Sequence, residues 1–300
     1  MKIKIEISKR IFLFYIMLNA IGYNPETHPI HPIRKKARHF LKNIVKNKIN
    51  FENAEKILNY QNLNKEFWFP FRTWILCHEQ PQNFKEINSI WKKYLDEKTS
   101  YEFKAECSYF WEKLNIKSFW NQIYKEYLKI HNKCLTETKL GVKSAIYYLR
   151  LSNKNININQ FIVIPNFLDE YHRGLGPLID KTAYAILGPS RNKNNQFPSQ
   201  RIMHEFLHAI INPLTKKIFN TEITNKELSI IREYLIHAIV LRSNKNNKKY
   251  YNKKIKLLEN QYFKNIKKII LILEKYEAQK ENFNNFLLRD KDSIKKACLY

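Results

Sequence analysis

Two imidazoles and a carboxylate stand in the order His204-Glu205-Phe206-Leu207-His208, an HExxH sequence whose chemistry depends on its lying on a helix. At 3.6 residues per turn the two histidines project from one side, a turn apart, where neutral imidazoles can grip a single zinc ion. Glu205 leaves the helix about 100° further round. That direction keeps it out of the ligand set and suits it to act as general base on a water activated by the metal. The flanking residues predict the helix. Ser199 after Pro198 is a good N-cap, Met203, Phe206, Leu207, Ile210 and Ile211 form an apolar stripe, and Pro213 is expected to end the element.

A catalytic zinc needs a third protein ligand and an open fourth position. The metzincin solution is excluded, because Ala209, Ile210 and Ile211 follow His208 where that class has a glycine and leads to a third histidine. The other common solution takes a glutamate from a second helix. Thr224 and Glu227 form a capping box, and Leu228, Ile231, Leu235, Ala238 and Ile239 form an apolar stripe, so a helix is expected from Thr224 to Leu241. Glu233 lies in its middle among apolar residues, where a buried carboxylate needs a strong partner. Glu222 precedes the helix and Glu227 is explained by capping. The expected site therefore holds one zinc per chain on His204, His208 and Glu233, with Glu205 as base, and hydrolyses peptide bonds. Besides the metal, a further donor must face the developing oxyanion, and Tyr184, Tyr234 and His237 all qualify. His237, one turn beyond Glu233, is equally explicable as a residue that orients a ligand or as a packed histidine.

These residues resemble the gluzincin division of zinc metallopeptidases, in which an HExxH helix is followed by a glutamate helix. The likeness is greatest to an uncharacterised bacterial gluzincin-like group with a His-Glu-Phe-x-His helix running into Asn-Pro and a glutamate helix carrying Glu-Tyr before an apolar run. Here the matching residues are His204 to His208, Asn212-Pro213, and Glu233-Tyr234 with the run to Leu241. The resemblance covers about Gln160 to Leu241 and is only general before that. It implies a zincin fold in which the strand from Ala183 to Leu187 is the edge that pairs with an extended peptide. Many members place a basic side chain one turn after the glutamate; His237 stands there in this chain.

The elements that must position such a site divide the chain into three. Residues 1–140 read as packed helices with aromatic stripes, punctuated by Pro25, Pro29, Pro32, Pro70 and Pro81; the histidines scattered there, His28, His31, His39 and His78, suit structural roles. Residues 141–245 form the expected zincin-like core. Four of the five glycines fall between Gly141 and Gly188, and Phe161 to Ile164, Ala183 to Leu187 and Ala145 to Leu151 read as strands. Residues 246–300 are expected to be helical after a solvated polar run from Ser243 to Lys254. The fold class is α+β: mostly helical, zincin-like, with a small mixed β-sheet beside the HExxH helix.

Composition excludes other classes. The hydrophobic fraction of 44% over 300 residues is ample for a core. A net charge of +26 would ordinarily raise nucleic acid as a partner, but Lys, Asn and Ile are over-used together along the whole chain and no DNA- or RNA-reading signature stands out. The expected partner is a peptide or protein substrate. Cys77, Cys107, Cys134 and Cys298 form no CxxC pair, which points to reduced thiols. The apolar run from Ile11 to Leu18, behind Lys2, Lys4, Lys9 and Arg10, is too short for a transmembrane span. The alternation from Lys2 to Ser8 favours strand-then-helix in a mature, cytoplasmic chain over export through an N-terminal signal. The competing reading of the whole is a non-catalytic basic binding module that keeps zinc for structure or as a vestige, with Lys248-Lys249-Tyr250-Tyr251 helping it meet an acidic partner or nucleic acid.

Overall fold

The alternating Lys2–Ile5 segment forms strand β1, and the Ser8 side chain accepts from the Ile11 N–H to start helix α1, Lys9–Ala20, which is buried along nearly its whole length. The expected strand-then-helix start is therefore present. This is a computed structural model, and it describes residues 1–24, 30–46, 50–59, 69–151, 157–190, 197–219 and 222–300. His28, Pro25 and Pro29 lie outside the described residues. Helices α2 (Pro32–Lys46), α4 (Phe69–Leu76) and α5 (Glu97–Ser108) pack on α1, and α3 (Glu52–Leu58) packs on α5, around an aromatic core that includes Phe14, Phe71, Trp74 and Phe103. His31 stacks on Phe167 and His78 on Trp74, which gives both histidines the structural role expected of them.

Helix α6, Ile116–Tyr148, runs straight through Gly141, so the boundary placed there by composition falls inside a helix. It also corrects the strand expected from Ala145 to Leu151. A Cβ on Gly141 would lie 2.5 Å from the Ser199 carbonyl oxygen, so that glycine marks a helix–helix crossing, where a loop had been inferred.

Strands β2 (Gln160–Pro165) and β5 (Thr182–Leu187) form where the apolar runs predict them. β1, β2 and β5 are parallel, and the two short strands β3 (Gly174–Leu175) and β4 (Leu178–Ile179) pair antiparallel with the far side of β5. The mixed sheet is small, as expected, but β5 is not its edge. The outer position belongs to the segment from Gly174 to Ile179, whose two-residue strands are too short to leave a periodic signal.

The sheet is covered on both faces, which is why β2 and β5 are apolar without alternation. Phe161 packs edge-on against Phe206, so its register partner Ala183 and the next in-phase residue Ala185 also face the HExxH helix, and their small side chains let that helix approach. Tyr184 faces the opposite side.

Helix α7, Ser199–Phe219, carries HExxH and passes through Pro213 without stopping. The carbonyls around the proline are used locally and by the next helix. Thr215 Oγ1 donates to the Ile211 carbonyl at 2.7 Å, and Arg232 donates from Nη2 to the Asn212 carbonyl at 3.1 Å and from Nε to Thr215 Oγ1 at 3.0 Å. Helix α8, Asn225–Ser243, begins with the predicted Thr224–Glu227 capping box. The polar run from Ser243 to Lys254, expected to be a solvated loop or helix end, spans the end of α8 and the first turns of helix α9, Lys248–Gln261, and α10 (Ile266–Ala278), α11 (Phe283–Arg289) and α12 (Lys291–Leu299) complete the chain. All four cysteines are buried and free.

Arg242 clamps the end of α8 to α10 with two bonds to Glu277, 2.7 Å from Nε and 2.6 Å from Nη2. Burial raises the Glu277 carboxyl, but bonds from Arg242, Lys245 and Tyr148 overcome it and hold the group at about 2. Its folded value lies below its unfolded one, so this stabilisation is complete above about pH 4.5 and is lost as pH falls towards 2. Arg242→Met is expected to lower stability at pH 7 by about 2 kcal/mol. Urea unfolding at pH 7 and at pH 3 checks this: the wild-type advantage should shrink at the lower pH.

Candidate metal centre

His204, Glu233 and His237 form a half-buried group whose ligand atoms all lie within 4.8 Å of one another, and this group could hold a metal ion. His208 closes on the same point. Its Nε2 lies 3.3 Å from His204 Nε2 and 3.5 Å from Glu233 Oε1, while Glu233 Oε2 lies 3.8 Å from His204 Nε2 and 3.9 Å from His237 Nε2. The site thus unites every predicted ligand with one candidate, His237, whose role the sequence left open.

Two helices account for the convergence. On α7 the four-residue spacing puts His204 and His208 on one side, and on α8 the same spacing does so for Glu233 and His237. Arg232 fixes the helices against each other one residue before Glu233, through its bonds to the Asn212 carbonyl and Thr215. The ring of Phe263, in the turn after α9, packs against His237 at 4.7 Å and Tyr234 at 5.0 Å and walls one side of the site.

The donors suit a zinc ion. Ligands about 2.0–2.1 Å from a tetrahedral metal lie about 3.4 Å from one another, close to the 3.3 Å between His204 Nε2 and His208 Nε2, and the two Glu233 oxygens face that pair at 3.5 and 3.8 Å. Burial, followed by the positive fields of His208, His237, Lys254 and Arg201, holds the His204 imidazole well below its ordinary range. Burial, Lys254 and His208 push His237 down to about 3. Both rings therefore keep their lone pairs for a metal at neutral pH. Burial raises the Glu233 carboxyl against the pull of His208.

Glu205 does not face the ligands' point of convergence as an equal. It is buried, and its Oε2 has no hydrogen-bond partner among the described residues. Desolvation pushes its carboxyl up to about 7, against the opposing pull of His208 and Arg201. A buried carboxyl poised near neutrality, with one oxygen uncommitted, is what proton transfer requires.

Residues that the sequence did not single out put Glu205 in this state. A Cβ on Gly174 would lie 2.0 Å from Glu205 Oε1, and one on Gly176 2.7 Å from the Glu205 carbonyl oxygen, so only glycines let β3 and the residues after it close over the carboxylate. Arg201, one turn before Glu205, donates to the Gly188 carbonyl at 2.8 Å and to the Arg173 carbonyl, pinning the residue before Gly174. The Gly174-x-Gly176 spacing in a glycine-poor chain and the position of Arg201 four before Glu205 were signals of this.

Two candidates are not part of the site. Tyr184 lies on the opposite face of the sheet, buried in the surroundings of Arg10, Glu6 and Cys77. Tyr234 is buried against Phe263, and its hydroxyl accepts from the Asn265 N–H at 3.4 Å. Glu222 precedes α8 and Glu227 caps it, as expected, and Glu222 pairs with Lys291.

Set against models of protein families, curated proteins and solved structures, the chain matches none of them. The functional argument therefore rests on the chemistry of the site.

Two outcomes follow for the metal-free protein. Because the folded Glu205 carboxyl binds its proton more tightly than the unfolded one, its contribution to stability falls as pH rises from about 4.5 to about 7. Glu205→Gln should gain stability relative to wild type across that window, by about 3 kcal/mol at its upper end, in urea titrations. Gly174→Ala should cost about 1–3 kcal/mol by displacing Glu205 while leaving the metal ligands in place, measured as a lowered urea midpoint with unchanged metal content.

Proposed function

We propose that the chain is a zinc-dependent metallopeptidase-type hydrolase, with His204, His208 and Glu233 as ligands and Glu205 as general base. The observation that carries this reading is the convergence of three donor groups: the two imidazole Nε2 atoms stand 3.3 Å apart, and the two oxygens of the Glu233 carboxylate face them at 3.5 Å (Oε1 to His208) and 3.8 Å (Oε2 to His204). A small mixed sheet lying along the HExxH helix agrees with the zincin-like arrangement that the gluzincin resemblance implies.

Zinc bound there supplies Lewis acidity, which acidifies a water and polarises a carbonyl. The protein's own groups do the rest. His204 and His208 stand on one helix side, Glu233 contributes the balancing negative charge, and Glu205 takes the proton from the attacking water and delivers it to the leaving amine. The closed cover of Gly174 and Gly176 keeps bulk water from Glu205 and maintains its raised proton affinity.

His237 favours one second reading. If its Nε2 also binds, three imidazoles and a carboxylate complete a closed four-coordinate site, and the zinc is structural, as the binding-module alternative requires.

Metal analysis separates the two. One zinc per chain is expected in wild type, Glu205→Gln and His237→Ala, and at least tenfold weaker zinc binding in Glu233→Ala. Peptide hydrolysis should vanish with chelator, fall at least about a hundredfold in Glu205→Gln, and tolerate moderate salt. Loss of zinc from His237→Ala as severe as from Glu233→Ala would establish the closed site, and a wild type that takes up no zinc would end both readings.

A further inference from the structure

The positive surplus of the chain is uneven. Residues 51–100 balance seven lysines and arginines against seven acidic residues, whereas residues 245–268 carry nine lysines and one acid, Glu259. Lys245 pairs with Glu277 at 2.7 Å and Lys267 with Glu259 at 3.0 Å, so the segment has no acid left for its other lysines. Lys249, Lys253, Lys256, Lys264 and Lys268 are all exposed, and none of them makes an ion pair among the described residues.

Helix geometry arranges them. Lys249, Lys253 and Lys256 follow one another at four and three residues, so they stand in a row about 10 Å long on the side of α9 turned away from the buried Ile255 and Leu258. Like charges at that spacing repel and weaken the helix, and anions laid along the row remove the repulsion. α9 packs on α8, and beyond its end the chain adds Lys264 and Lys268. Lys264 directly follows Phe263, whose ring meets His237 at 4.7 Å, so the basic surface begins beside the metal centre. An acidic polypeptide matches the row, because carboxylates three and four residues apart on a helix have the same spacing as the lysines. A single-stranded nucleic acid would need rings on which to stack its bases. Of those from Tyr250 to Phe263 only Tyr262 is exposed, and Tyr250 and Tyr251, interleaved with the lysines, are half-buried.

On the reading of the metal centre as a zinc peptidase, we propose that the lysine row of α9, with Lys264 and Lys268 beyond it, is an exosite that docks an acidic segment of the protein substrate. The substrate class is then polypeptide with clustered carboxylates at a distance from the scissile bond. The +26 net charge draws the same molecules from further away, and the row decides where they settle.

The test is a binding measurement on the full chain at about 0.1 M salt, where fields reaching beyond about 10 Å are screened. Fluorescence anisotropy compares a labelled peptide with glutamates at three- and four-residue spacing, its glutamine counterpart, and an oligothymidylate of equal charge. The proteins are wild type, the combined variant Lys249→Gln, Lys253→Gln, Lys256→Gln, and a control that loses the same charge at exposed positions of α6, Lys117→Gln, Lys125→Gln, Lys143→Gln, with melting followed in each. Wild type should bind the glutamate peptide about tenfold or more tighter than the glutamine peptide. The α9 variant should lose about tenfold and the α6 control less than about twofold. Equal losses in the two variants would assign the attraction to net charge alone, and tighter binding of the oligothymidylate would assign the surface to nucleic acid; either result overturns the exosite. A second arm joins the glutamate peptide to a hydroxamate through a flexible linker and measures it on the zinc-loaded chain, where it should bind about tenfold or more tighter than either part alone. No gain would show that one chain does not reach both the row and the metal, and would also overturn the exosite. A wild type that takes up no zinc would overturn the peptidase reading and the substrate role of the row together, and the first arm, which needs no metal, separates that outcome from a failure of the row itself.

Discussion

The site depends on how closely other backbones approach α7. A helix that carries a glutamate and two histidines through an apolar interior has to exclude water from those groups without leaving cavities, and that needs neighbours with almost no side chain. Gly141 supplies this from α6, Gly174 and Gly176 from the outer side of the sheet, and Ala183 and Ala185 from β5. The electrostatics follow from this packing. A carboxyl with a backbone pressed against it cannot be solvated when ionised, so Glu205 holds its proton to about 7, and the imidazole of His204, similarly enclosed, resists taking one.

The cover over Glu205 is supported from far away in sequence. Tyr23, just beyond α1, donates to Asp169 at 2.6 Å and accepts from Arg173 at 3.1 Å, while Arg34 on α2 donates to the Tyr23 carbonyl and to Asn19. Asn19 in turn donates to the Leu168 carbonyl. This buried polar network ties the connection between β2 and β3 to the first two helices, and Arg201 ties its far end to α7. The N-terminal helices are therefore part of the site's foundation: β1 pairs with β2, and α1 holds the loop that ends in Gly174.

Local signals in the sequence foretold the parts that local chemistry governs. HExxH, the Thr224 cap and the apolar runs of β2 and β5 each specify an element within a few residues, and the position of Glu233 among apolar neighbours singled out a carboxylate that the structure brings to His204 and His208. What escaped was set by contacts between distant segments. Pro213 reads as a helix stop, yet α7 runs on to Phe219, with Arg232 of α8 bonded to the Asn212 carbonyl and to Thr215 on either side of the proline. The apolar stretch after Gly141 suits a strand as well as a helix, and its packing on α7 decides for the helix. Tyr184 has the right chemistry for an oxyanion donor, but strand parity sets its direction, and parity has meaning only once Phe161 is known to meet Phe206.

The position of His237 is the sharpest expression of this dependence. It shares a side of α8 with Glu233, so any arrangement that brings the glutamate to the α7 histidines brings His237 close as well. What distinguishes a ligand from a neighbour is then the packing of its ring. His237 lies between His204, at 4.8 Å between ring centroids, and Phe263, at 4.7 Å, and its Nε2 reaches no nearer than 3.9 Å to Glu233. His204 and His208, by contrast, already stand 3.3 Å apart at Nε2, one tetrahedral edge. Measured from Glu233 Oε2, His237 at 3.9 Å and His204 at 3.8 Å are nearly alike, so the packing of the His237 ring between His204 and Phe263, which no local sequence signal encodes, holds a fourth side chain at the point where His204, His208 and Glu233 meet.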